Sequence, residues 1–444
     1  MATRATATAL LVASAVIAWL AITFAVVARA LQSVIAFSLV YVAYLALRGY
    51  QAMRDARLDG AGEDRPWVTL LVAARNEAPV IAATLAGLVR QDYADGSGPR
   101  FDVLLVDDGS TDGTGALASR VAADHPDRLR VVRREPGEGP SMKAAALAFG
   151  HPHARGDIIG VVDADATVSP GFITGVMQAW GSDPAAVAIQ AQRRAHNRVY
   201  GWFAAAQDEE LLMDMASQCG RRATDGTAEL RGNGMFVRRE ALERVGGWNP
   251  TALTEDLELS TRLVAAGERI ALAPAAEVGE EAVITLPGLW KQRLRWAEGS
   301  IRRLIDLGPG LLRARAVPMG RKLDFLAFTG EFLIPPLFVT TVVASLLTIP
   351  LPRPADWTVP ASLFIGYGMG SFLLAMAGVA AQGQRGPGVL GRATRGSLFL
   401  SHWLLVVPVA LVRIAVGQQA TTFVQTRRIG HQRDEPDTAP DRGA

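Results

Sequence analysis

Apolar and polar positions along the chain fall into three regions with different periods. The start is apolar from Ala9 to Ala28 and again from about Val34 to Leu47, with only Arg29 to Ser33 between. A helix needs about 20 apolar residues to cross a bilayer. The first stretch therefore qualifies, and the second is short unless its helix begins inside the connection. The rival reading is a signal peptide cut after Ala30, because Ala28-Arg29-Ala30 resembles a cleavage site. The length of the first stretch and the immediate arrival of a second favour a transmembrane hairpin over residues 1–50. Arg48, Arg54 and Arg57 lie just after the second stretch. Basic flanks mark the cytoplasmic side, so a linker over 51–66 leads to a domain expected in the cytoplasm.

From 67 to 286 the pattern becomes one of short apolar runs alternating with helix-like segments. Val68 to Ala74, Phe101 to Asp107, Leu129 to Arg133 and Asp157 to Asp165 read as buried parallel strands. Between them, Ala78 to Gln91, Thr114 to Asp124 and Met142 to Phe149 read as helices. This alternation predicts an α/β domain: a parallel sheet with helices on both faces, binding its ligand beyond the carboxyl ends of the strands.

The next region, 287–322, is rich in arginine interrupted by leucine, isoleucine and tryptophan. It predicts one or two amphipathic helices on the inner membrane surface. Three apolar stretches follow, at about Phe325 to Leu351, Val359 to Ala381 and Leu398 to Val416, giving a C-terminal membrane bundle over 323–417. The tail, 418–444, carries Arg427 and Arg428 and turns polar, a composition of disorder from His431 onward. Three full crossings after a cytoplasmic domain would put those arginines outside, against the positive-inside rule. The last stretch, with His402, Pro408 and Arg413, is the best candidate for an interfacial or re-entrant element. The stretch around Glu331, Pro335 and Pro336 is second.

Composition narrows the classes. Hydrophobic residues make up 50% and charged ones 20%, the balance of a chain that is part soluble and part membrane. Lys plus Arg (45) nearly cancels Asp plus Glu (43), so charge offers no case for nucleic acid as a partner. The single cysteine, Cys219, excludes an intrachain disulfide and a cysteine zinc site.

Four motifs carry candidate chemistry. The second strand ends in VDDGSTDGT, with Asp107 and Asp108 at the sheet edge; the same residues suit a turn and helix cap. The fourth ends in Asp163-Ala164-Asp165. Alternate strand residues share a face, so two carboxylates could meet a divalent cation and a diphosphate, and hard oxygens suit Mg²⁺ or Mn²⁺. Thr254-Glu255-Asp256 opens a helix pattern, either as cap and dipole complement or as a general base aimed into a site. Gln292-Arg293-Leu294-Arg295-Trp296 lies on the amphipathic stretch, either as snorkelling surface or as a phosphate-binding arginine beside an aromatic face for the acceptor.

None of these is specific alone; their order and separation are. Together with ARNE (Ala74 to Glu77) and GDIIGVVDADATV, the series resembles the motif set of family 2 glycosyltransferases with the GT-A fold, from about Val68 to Trp296. ELRGNGMFVRREALERVGGWN, EEAVITLPGLWKQRLRWAEGS and MGRKLDF are similar to the branch holding the β-monoglucosyldiacylglycerol synthases. The wider group includes synthases of cellulose, hyaluronan and poly-N-acetylglucosamine. SMKAAALAFG, which contains Lys143, departs from the usual pattern at Met142 and Phe149.

The resemblance implies an inverting transferase that uses a UDP-sugar, with glucose expected. Asp256 would be the base, and Asp163 and Asp165 the metal carboxylates. Glu77, Asp107, Asp108, Lys143, Asp163 and Arg295 would hold the nucleotide sugar, with Glu255, Gln292 and Trp296 on the acceptor side. The expected acceptor is a membrane lipid such as diacylglycerol, reached from the lipid bilayer of the plasma membrane, with several crossings and a cytoplasmic catalytic domain. A processive polysaccharide synthase and a non-catalytic nucleotide-sugar-binding scaffold are the alternatives. The intact carboxylate set speaks against the scaffold.

Overall fold

The computed structural model describes residues 2–56, 65–350 and 357–418; Arg57, Arg427, Arg428 and the tail from His431 lie outside them. The chain opens with two helices, α1 (Ala2–Thr23) and α2 (Ala25–Asp55), broken at Phe24, whose backbone is extended (φ −118°, ψ 115°). The break falls before the expected Arg29–Ser33 connection, which is helical instead. Its polar groups find partners there: Ser33 Oγ donates to the Arg29 carbonyl at 2.9 Å, and the Gln32 amide reaches the hydroxyls of Thr358 and Ser362 at 3.4 and 3.3 Å. Absorbing these residues makes α2 31 residues long, ample for a crossing.

The central domain holds one eight-stranded sheet. Its strands are β1 (Val68–Ala74), β4 (Phe101–Asp108), β5 (Leu129–Arg134), β6 (Ile158–Val161), β7 (Thr167–Val168), β8 (Ala188–Ala195), β9 (Met235–Arg238) and β10 (Ile270–Glu280). A separate hairpin joins β2 (Ala94–Asp95) to β3 (Gly98–Pro99). The sheet order is β5-β4-β1-β6-β9-β8-β10-β7. The four strands expected from sequence do run parallel. The sheet as a whole is mixed, correcting the fully parallel expectation: β9 is antiparallel to both neighbours and β7 to β10. The physical reason is that the loop before β9 crosses the carboxyl ends of β6 and β8, so the chain re-enters the sheet from the opposite edge.

Alternation along the strands builds two cores. Leu70, Val72, Val103 and Leu105 face α3 (Ile81–Leu88), α4 (Thr114–Asp124) and α6 (Phe172–Gly181). Leu71, Leu104, Val106 and Val161 face α5 (Lys143–Gly150), α8 (Arg239–Arg244) and α9 (Glu255–Ala265). A period of two places successive strand residues on opposite faces, so both layers follow from near-continuous apolar runs.

A long helix, α7 (Trp202–Ala223), joins this domain to the apolar helices. A Cβ on Gly49 of α2 would stand 2.0 Å from the Ala216 carbonyl oxygen, and one on Gly220 would stand 2.2 Å from that of Leu45. The two backbones therefore touch, which only glycine permits. After the sheet come α10 (Leu286–Arg313), α11 (Met319–Gly330), a 3₁₀ turn at Glu331–Leu333, α12 (Ile334–Thr348), α13 (Thr358–Ala381), α14 (Pro387–Leu400) and α15 (Trp403–Ala415).

Among the described residues, five segments are long and apolar enough to cross a membrane: Ala2–Thr23, Ala25–Asp55, Met319–Thr348, Thr358–Ala381 and Pro387–Ala415. The last bends at Ser401–His402 and stays beside α7 and α10 along its length. Arg392 donates to Glu209 at 2.9 Å and Trp403 to Glu210 at 3.0 Å. Val406, Val407 and Ala410 are buried with Ala297 and Ile301, and Arg302 donates to the Gln418 carbonyl at 3.1 Å. The first residues of the chain reach the same helix, where Thr3 donates to Asp306 at 2.9 Å.

Candidate active site

The acidic turn after β4 is stapled to the loop after β1. The backbone N–H groups of Asn76, Glu77 and Ala78 donate to Ser110 Oγ (3.0 Å), Thr114 Oγ1 (2.8 Å) and Asp112 (3.0 Å), and Asn76 Oδ1 accepts from the Thr111 amide at 2.8 Å. Asn76 takes a left-handed conformation (φ 55°), which asparagine tolerates. Both readings of VDDGSTDGT are thus present: Ser110, Asp112 and Thr114 build the turn, while Asp108 faces a cavity.

Asp107, expected to meet the nucleotide, does not line that cavity. Adjacent strand residues point to opposite faces. Its carboxylate turns inward, accepting from the Ser110 amide (3.0 Å) and from Arg133 (2.7 Å).

The cavity has about 430 Å³ and brings together Glu77, Asp108, Lys143, Asp163, Asp165, Glu255, Asp256, Gln292, Arg295 and Trp296. Every other residue expected at the site is there, drawn from positions more than two hundred apart in sequence. Asp108 is fixed by Arg134 Nε at 2.6 Å. Asp163 is held at its backbone by Asn233, whose Oδ1 accepts from the Asp163 amide at 3.1 Å, and at its carboxylate by Lys143 Nζ. Lys143 also pairs with Glu255 at 3.2 Å. Asp165 accepts from the Glu281 amide at 3.2 Å.

Asp256 sits in the first turn of α9. Burial pushes its carboxyl up to about 6, helped by the neighbouring charge of Glu255 and opposed by the Leu257 amide, Lys143 and Arg231. Thr254 occupies the N-cap without making a side-chain cap bond, contrary to the capping expected of it. Its side chain is instead wedged against α10, where a Cβ on Gly299 would come within 2.5 Å of Thr254 Cγ2. That contact sets the Q-R-L-R-W segment beside the T-E-D turn. Burial pulls the Arg295 guanidinium down, while Glu255, Asp256 and Asp163 hold it up, so the arginine faces all three carboxylates.

Trp296 is framed by Arg293, 4.3 Å from its ring centre, and Arg193, at 5.7 Å. Arg293 is itself fixed by Glu210 at 2.5 Å, and Arg193 by both oxygens of Glu280 at 2.7 and 2.8 Å. Gln292 lines the cavity, and its Oε1 is buried with no hydrogen-bond partner among the described residues.

Several contributors escaped the sequence reading. Arg231 binds Asp214 at 2.9 Å and Glu229 at 2.7 Å, and Glu229 accepts from Arg303 at 2.5 Å, a buried ion network beside the base. The run Asp208-Glu209-Glu210 reads as a solvated helix face, yet all three are buried against arginines of other elements. Only folding supplies those partners. The one usable signal was Arg231 itself, placed between apolar Leu230 and a glycine-rich turn.

Carboxylates gathered at the strand ends, a nucleotide-sized cavity and the half-parallel sheet define a GT-A glycosyltransferase domain. Residues 65–299 match the family described as glycosyltransferase like family 2, and the chain belongs to that family as a hexosyltransferase. It is 34% identical over 366 residues to the β-monoglucosyldiacylglycerol synthase of Synechocystis sp., covering 81% of this chain and 74% of that protein. It is 32% identical to the corresponding Nostoc sp. enzyme, covering 82% and 77%. Among solved structures, the mannosyltransferase PcManGT from Pyrobaculum calidifontis, in complex with GDP-Man and Mn²⁺, shares the fold with a TM-score of 0.56 at 24% identity, covering 86% of this chain and 99% of that one.

Proposed function

We propose that the protein transfers a hexose, glucose, from a UDP-sugar to the hydroxyl of a membrane lipid such as diacylglycerol, with inversion at the anomeric carbon. One observation carries the lipid reading. The cavity that holds Asp163, Asp165 and Asp256 continues without a break to Phe328, Phe332, Leu374 and Leu400, residues of the membrane-helix region. An acceptor hydroxyl can thus meet the base while its acyl chains stay among apolar walls. Withdrawing those chains into water would cost about 0.8 kcal/mol per CH₂. The similarity to β-monoglucosyldiacylglycerol synthases over four-fifths of the chain supports the same acceptor class.

In this mechanism Asp256 takes the proton of the acceptor hydroxyl as its oxygen attacks the anomeric carbon and the bond to the diphosphate breaks. Glu77 and Asp108 hold the nucleoside, Lys143 and Arg295 face the diphosphate, and Gln292 and Trp296 line the acceptor side. Asp163 and Asp165 fit a hard divalent cation, Mg²⁺ or Mn²⁺. These two carboxylates would hold the cation through hard oxygen ligands. When bound, that cation neutralises charge building on the leaving diphosphate.

The proposed setting is the plasma membrane with the catalytic domain on the cytoplasmic face. Four segments cross, and Pro387–Ala415 lies along the interface beside α10. This keeps the start of α1 and the end of α15 on the catalytic side.

The test incubates membranes containing the protein with labelled UDP-sugars and diacylglycerol. Label in chloroform–methanol, on a product with one or very few sugars, supports the reading. Label in a solvent-insoluble chain that lengthens with time overturns it in favour of a polysaccharide synthase.

A further inference from the structure

The apolar end of the cavity holds a carboxylate with no partner among the described residues. Glu331 begins the 3₁₀ turn between α11 and α12, where Pro335 and Pro336 follow and the helix through Met319–Thr348 is interrupted. Its side chain lines the cavity. Among the described residues it makes no hydrogen bond and no ion pair.

Its surroundings make this unusual. The ionised groups that act on it most strongly are Arg221, Glu229, Asp214 and Asp324. Each is already matched: Arg221 binds Asp324 at 3.0 Å, Asp214 binds Arg231 at 2.9 Å, and Glu229 binds Arg303 at 2.5 Å. Against these paired groups, Glu331 has no counter-charge within ion-pair distance among the described residues. Ionisable residues within apolar helical segments of this kind are rare and mark functional sites.

A free carboxylate accepts hydrogen bonds and repels anions, so what completes it is a donor without negative charge. The aromatic and aliphatic walls at the same end, Phe328, Phe332 and Leu374, fit the apolar part of such a ligand. Resting on the lipid-acceptor reading above, we infer that Glu331 is an acceptor-selecting residue that binds a hydroxyl of an uncharged lipid headgroup, a glycerol or a hexose, and excludes anionic phospholipids.

The experiment uses the full chain in phosphatidylcholine vesicles with labelled UDP-glucose and one of three acceptors: diacylglycerol, a monohexosyl-diacylglycerol or phosphatidylglycerol. The wild type is expected to label the first two and to leave phosphatidylglycerol unlabelled. Glu331→Gln should raise the acceptor KM about tenfold, the loss of a hydrogen bond to a charged group. Glu331→Lys should increase the labelling of phosphatidylglycerol relative to diacylglycerol. Elution in detergent checks that each variant is folded, and if the lysine variant is not, the isosteric glutamine variant decides. The inference is overturned if the folded variants keep the wild-type acceptor KM and headgroup preference, or if the wild type uses phosphatidylglycerol as readily as diacylglycerol. A wild type that labels no lipid of any kind overturns the lipid reading itself, and this inference with it.

Discussion

Lys143 offers the sharpest test of the site because its charge is placed to keep Asp256 ionised. Its Nζ and the Asp256 Oδ2 lie 3.6 and 3.3 Å from the point a Cβ on Gly232 would occupy, so they are within about 7 Å of each other. At an effective dielectric constant of 20, two unit charges at that distance attract by roughly 2 kcal/mol. That equals about 1.5 pKa units, and screening by water in the cavity reduces it toward one. The starting point is a carboxyl pushed up to about 6. A base with that value is about 91% ionised at pH 7 and about 9% at pH 5, so wild-type kcat/KM should fall about tenfold across that range. An unperturbed aspartate would hardly change there. Lys143→Met removes the cation and also frees Asp163, and both push the Asp256 carboxyl upward. The acid limb of the kcat/KM profile should therefore move up by about one to one and a half units, with rate recovered toward pH 9. The assay is initial-rate labelling of diacylglycerol from pH 5 to 9, with donor KM measured at each pH. An acid limb that stays near 6 while only donor KM rises would refute the electrostatic argument and leave Lys143 as a phosphate ligand alone.

Asp256→Asn should cut turnover by roughly 10²–10⁴-fold with little change in donor affinity, measured by titration of UDP-sugar; surviving turnover with weakened donor binding would make it a binding residue. Asp165→Asn should abolish metal-stimulated turnover while the protein stays folded in the membrane, and chelated wild type as active as untreated enzyme would refute the metal role. Glu209→Ala should strand Arg392 and Arg395, which both donate to it, and loosen α14 from α7. Removing one partner of a buried ion pair costs about 3–5 kcal/mol, to be read as a lower thermal midpoint in detergent.

The inner strands of the sheet, the order of the motifs and most of the residues that line the cavity were legible in the sequence. Those strands are fully buried, so their apolar runs are unbroken, and the chemistry sits where such runs end in carboxylates. Asp108, Asp163, Asp165 and Asp256 could be named from that pattern because strand ends and a helix start are local features. Tertiary structure decided what depends on distant partners. Asp107 and Asp108 are neighbours of equal chemistry, and only Arg133, reaching across from β5, shows which one turns inward. The acidic run on α7 looks solvated until Arg194, Arg293, Arg392 and Arg395 arrive from three other parts of the chain. Pro387–Ala415 is apolar enough to cross a bilayer, yet only the fold shows that it also carries ion pairs to α7 and packs on α10. Length and hydropathy set what a segment can do alone, and burying charge against a specific partner sets where it goes. That Glu331 lacks a counter-charge among the described residues is likewise legible only in the fold, where Asp324, Asp214 and Glu229 beside it are already paired with arginines.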